Sequence, residues 1–123
     1  MNQKASAVVI ELAKKLIDVS SQRNNDWEAA YYRFSFDKLQ IDSTALYSVR
    51  GEGFFFDGFK CVGFYEDMEA LSISLVKEVD KNKGLFLLVV RSDFTYEIKF
   101  EWTDLGKWKI SKEDGQSGIP SDI

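Results

Sequence analysis

The chain has 123 residues, 45% of them hydrophobic and 29% charged, the balance of one globular domain able to bury a core without metal or disulfide. Its formal net charge of −4 argues against a nucleic-acid footprint, because counterion release needs clustered Lys and Arg. With no histidine and one cysteine, Cys61, the chain excludes Ser-His-Asp and Cys-His nucleophiles, His-containing metal and haem sites, Cys-cluster metal sites and an intramolecular disulfide.

From Gln3 to Ser20 the apolar residues Ala5, Val8, Val9, Leu12, Ala13, Leu16 and Val19 recur three and four apart, which predicts an amphipathic helix. Glu11 and Lys14–Lys15 interrupt this only apolar stretch of the amino terminus, so neither a signal peptide nor a membrane span is expected there. A soluble protein of the reducing cytoplasm is the expectation. The polar cluster Ser20 to Asn25 predicts the end of the helix and a loop.

After it the period changes to two. Trp27 to Phe36, Ile41 to Arg50 and Gly53 to Cys61 are rich in aromatic and β-branched residues and predict three strands of an antiparallel meander, parted by Asp37-Lys38 and Gly51-Glu52-Gly53. Met68, Leu71, Leu75 and Val79 restore a helical period between Phe64 and Asn82, with acids near the start, lysines near the end and Gly84 as the expected stop. Two more strands follow, Leu85 to Arg91 and Phe94 to Trp102. In the second, Tyr96, Ile98, Phe100 and Trp102 alternate with Thr95, Glu97, Lys99 and Glu101, one face for the core and one for water. A short strand or turn is expected around Trp108-Lys109-Ile110, and a loose tail from Glu113. The order of helix, three strands, helix and two to three strands predicts a single two-layer α+β domain with a mainly antiparallel sheet.

Each motif that carries chemistry elsewhere fails on its spacing. The segment Gly51 to Lys60 has Phe56 where a dinucleotide loop needs glycine and Phe59 where a phosphate loop needs lysine, which leaves a hairpin turn. Glu97 and Glu101 stand about 13 Å apart along their strand, too far for a glycosidase pair, and read as a solvated face. Glu66, Asp67 and Glu69 lack the glycine and alternating oxygens of a calcium loop. Cys61, with no histidine to activate it, reads as a buried structural thiol. No catalytic, cofactor-binding or metal-ligating set is expected. The unusual feature is aromatic excess: Phe54, Phe55 and Phe56 are consecutive, and Leu85 to Val90 is apolar on both faces. If both helices cover one face of the sheet, the other needs cover from loops, from the tail, or from a partner or second copy.

The layout, with Trp27-Glu28-Ala29-Ala30 opening the first strand and Tyr96-Glu97-Ile98-Lys99-Phe100-Glu101-Trp102-Thr103-Asp104-Leu105 closing the last, resembles the YezG-like bacterial immunity proteins. That family's last strand ends in an aromatic residue, an acidic residue and leucine; here Trp102-Thr103 stands where its tyrosine and acidic residue are found. The resemblance implies a small acidic cytoplasmic α+β domain that neutralises a cognate toxin domain by direct contact. A nuclease toxin with a basic cleft would be drawn to the acidic chain. The expected contacts are Glu97, Glu101, Asp104 and Trp108, joined by Glu52 and Asp57 from the aromatic hairpin, in a protein that is a monomer or weak homodimer and touches neither nucleic acid nor membrane. Two other readings compete: a secretion-chaperone-like dimer that holds an effector segment, and a small-ligand binder with Tyr31, Tyr47 or Asp57 lining a cup.

Overall fold

The computed structural model describes residues 1–123, and its first helix, α1, spans Gln3–Arg23. Asn2 caps it, its side-chain oxygen accepting from the Ala5 N–H at 2.8 Å. The helix outruns its expected end at Ser20 because Ser20 and Ser21 turn their hydroxyls back onto the carbonyls of Leu16 and Ile17, at 2.7 and 2.9 Å, and stay helical. Asn24, in extended backbone, ends it.

Strand β1 (Ala29–Phe36) alternates as the sequence predicts, with Ala30, Tyr32, Phe34 and Phe36 buried on one face. It pairs antiparallel with β2 (Ile41–Val49), across a loop in which the Asp37 carboxylate accepts from the N–H groups of Leu39 and Gln40. Arg50 and Gly51, both at positive φ, make the two-residue turn into β3.

β3 is only Glu52–Phe55, not the predicted Gly53 to Cys61. The Asp57-Gly58 turn overrides the β-propensity of the phenylalanines. The Asp57 carbonyl accepts from the N–H groups of Lys60 and Cys61, at 3.1 and 2.8 Å, and its carboxylate from that of Phe59 at 2.8 Å. Helix α2 (Phe64–Val79) likewise stops before the predicted Asn82, because Asp80 adopts the left-handed conformation. Gly84 does not cap it. Gly84 opens β4 (Gly84–Arg91), where a Cβ would collide with the ring of Trp102 and the carbonyl of Glu101. β5 (Tyr96–Glu101) completes an antiparallel sheet in the order β3-β2-β1-β4-β5, and the fold is α+β as predicted. No helix is long and apolar enough to cross a membrane.

Both helices lie on the face presented by Ala30, Tyr32, Phe34, Phe86, Leu88 and Val90, where the main core forms. A chain of two hydrogen bonds crosses it: Ser72 donates to the Met68 carbonyl at 2.7 Å, so the Tyr32 hydroxyl, 3.0 Å from Ser72 Oγ, donates to it. Burial pushes the Tyr32 pKa up, and everything polar in this core is satisfied.

The opposite face is covered by the chain's own carboxyl-terminal segment, residues 103–123. Trp108 packs there on Leu85, Leu87 and Val89, beside Tyr31. The strand expected around Trp108 does not form, since this residue sits in a turn at φ 58°. Nor is the tail beyond Glu113 loose: the Gly53 N–H donates to the Ser117 carbonyl at 3.0 Å, Gly118 and Pro120 are buried, and the Trp108 indole donates to the Asp122 carbonyl at 3.2 Å.

Candidate partner-binding surfaces

The six residues singled out in the sequence fall on two opposite ends of the sheet. Glu97 and Glu101 project from β5 and Asp104 and Trp108 follow it, whereas Glu52 and Asp57 belong to β3 and its loop, four strand spacings or about 19 Å away. They do not form one surface.

At the β5 end most of these groups are committed within the chain. Glu97 accepts from Arg91 Nη2 at 3.0 Å. Glu101 accepts from the N–H groups of Thr103 and Asp104, at 3.1 and 3.2 Å, from the Thr103 hydroxyl at 3.0 Å and from Lys107 Nζ at 3.4 Å. Those backbone donors, first the one of Asp104, hold its pKa down to about 2. Asp104 accepts from the Gly106 N–H at 3.1 Å. Trp108 belongs to the carboxyl-terminal segment 103–123, a strap across the sheet, and is buried between it and the strands, so its side chain is a core element rather than an exposed contact. The strap is fixed further by Arg33, which the sequence reading did not single out. Its Nε and Nη2 donate to the carbonyls of Lys107 and Leu105 at 2.9 and 2.6 Å, and partial burial lowers its pKa.

At the β3 end Glu52 accepts from Lys112 Nζ at 2.7 Å, and the same ammonium donates to the Gly53 carbonyl at 2.9 Å and lies over the Phe54 ring. Beyond it the loop braced by Asp57 holds Phe59 95% and Val62 85% exposed. These two side chains were hidden by the over-long predicted strand; Asp57-Gly58 was the signal for the turn. Cys61 lies beneath them, buried and free.

The concavities do not converge on a reaction. The largest, an open basin of about 720 Å³ within the strap, is walled by Lys107, Lys109, Glu113, Gln116 and Asp122. No cluster of three or more His, Cys, Asp or Glu is placed to hold a metal. Tyr31 and Tyr47, weighed as the lining of one cup, lie on opposite faces of the sheet. No family model matches the chain, and no curated protein is found similar to it.

Proposed function

We propose that the chain is an immunity protein that binds a cognate toxin domain and neutralises it by direct contact, as the likeness of its layout to YezG-like proteins implies. The observation that supports this reading is the loop after β3. Phe59 and Val62 stand almost wholly in water on a backbone fixed by Asp57, and a large apolar group held rigidly in solvent is what an interface anchor requires. A secretion chaperone with a closing helix fits less well, because the chain after β5 has only the single 3-10 turn Glu113–Gly115.

The test is co-purification of the tagged chain from cells, followed by expression of whatever toxin domain it holds. The expected result is a stoichiometric complex with a basic domain whose growth arrest the chain relieves, with both capture and relief lost in a Phe59→Asp, Val62→Asp variant that keeps its fold. Capture of an extended secreted segment, or relief of arrest that survives both substitutions, overturns the proposal.

A further inference from the structure

The two edges of the sheet are treated differently. The β3 edge is closed by the strap, which takes the Gly53 N–H on the Ser117 carbonyl and the Gly53 carbonyl on Lys112. The β5 edge is open. Its hydrogen-bond phase follows from the hairpin: the Arg91 N–H donates to the Thr95 carbonyl at 2.9 Å, and ladder pairs alternate, so Glu97, Lys99 and Glu101 bond to β4. Tyr96, Ile98 and Phe100 therefore turn their N–H and C=O groups outward, with no element of the chain against them.

We infer that this edge pairs with the same edge of a second copy, antiparallel and centred on Ile98, to give one sheet continuous through the dimer. The occupant is identified by self-complementarity. In this register Ile98 faces Ile98 on the two-fold axis, while Tyr96 faces Phe100 of the second copy and Glu97 faces Lys99 of the second copy, these two relations each occurring twice. Every outward backbone group of Tyr96, Ile98 and Phe100 then finds a partner. The register centred on Lys99 instead sets Lys99 against Lys99 and Glu97 against Glu101, leaving the lysine pair repelled. Lys99 has no ion-pair partner in its own chain, whereas Glu97 already holds Arg91 and keeps a second carboxylate oxygen for the incoming ammonium. A mid-edge lysine discourages pairing with a foreign strand, and in this register the second copy supplies the acid that neutralises it. The axis lies perpendicular to the sheet, so both helix layers stand on one side. There Ile10, Phe94 and Tyr96, which are 40%, 68% and 44% exposed and line an apolar groove of about 300 Å³, reach the junction. The inference does not depend on what the Phe59 loop binds.

Sedimentation equilibrium of the full chain over a wide concentration range tests it, together with three variants. The wild type is expected to dimerise. Lys99→Glu, which sets an acid against Glu97 at both symmetry-related positions, weakens the dimer about tenfold, as does Glu97→Lys. The Glu97→Lys, Lys99→Glu double variant, with both signs swapped, recovers it although the Arg91 pair stays broken. Amide exchange on the wild type gives an answer that needs no variant: Tyr96, Ile98 and Phe100 are protected at high concentration and lose protection on dilution, while Glu97, Lys99 and Glu101 stay protected. A wild type that is monomeric at every concentration, a double variant no better than the single ones, or outward amides that exchange freely throughout overturns the inference.

Discussion

Ser72 and Tyr32 share one hydrogen bond, yet removing either end has different consequences. Tyr32→Phe removes the donor and leaves Ser72 still donating to Met68, a loss of about 1 kcal/mol. Ser72→Ala strands the Tyr32 hydroxyl, which is fully buried, and is expected to destabilise by about 1–3 kcal/mol. Urea unfolding of the two variants checks the order; a Tyr32→Phe loss larger than the Ser72→Ala loss would contradict the direction of donation. At Glu101 the same logic becomes a pH dependence. Its carboxyl titrates at about 2 in the folded chain against an ordinary 4.5, so the stability its charge contributes is complete above about pH 4.5 and is lost as the pH falls toward 2. The gap in urea midpoint between wild type and Glu101→Gln should be constant near neutrality, shrink through this window and close at its acid end. A gap that does not move with pH would mean that the carboxylate's charge does not hold the turn.

At the scale of elements, what was legible in the sequence was periodicity, and what was not was competition between local hydrogen bonds and that periodicity. β1 follows its alternation closely, β4 is buried on both faces as its two-sided hydrophobicity requires, and β5 turns Ile98 and Phe100 to the core, because each is long enough for pairing on at least one side to dominate. β3 is shorter than predicted because the Asp57 carboxylate and carbonyl supply three turn hydrogen bonds that a strand through Cys61 would have to forgo. α1 is longer because two serines satisfy themselves inside the helix. The two-sided hydrophobicity of Leu85 to Val90 correctly demanded a second cover, but nothing local to Trp108 announces that it supplies that cover. The contact joins residues about twenty positions apart, across a turn of positive φ, and no pattern of period two or 3.6 encodes it. The expected contacts could not be placed relative to one another for the related reason that strand order, which puts β3 and β5 at opposite edges, is not a property of any single element. Trp108→Ala tests the strap as an element. Removing the indole from Leu85, Leu87 and Val89 is expected to destabilise the chain by about 3 kcal/mol and to raise binding of an apolar dye in the native state. A change under about 1 kcal/mol, measured by urea unfolding, would mean that the strap rests on the sheet without holding it.

Across the whole molecule the sheet acts as a spacer between two unlike ends. One carries the aromatic loop with Phe59 and Val62, the other the open edge of β5, and about 19 Å of paired strands separate the partner proposed for the first from the second copy proposed for the other. Charge is paired locally at both ends: Arg91, Lys107 and Lys112 each meet an acid beside them. The strap crossing from β5 back to β3 also sets an order of events during synthesis. The ribosome releases α1, the meander, α2 and the final hairpin first, and these can already close the helix-covered core. Leu85, Leu87 and Val89 then face water until Trp108 emerges, and the β3 edge is not sealed until Ser117 follows it. Until those residues emerge, the nascent chain exposes an apolar sheet face that the folded protein conceals, a surface for a chaperone at the exit tunnel to hold.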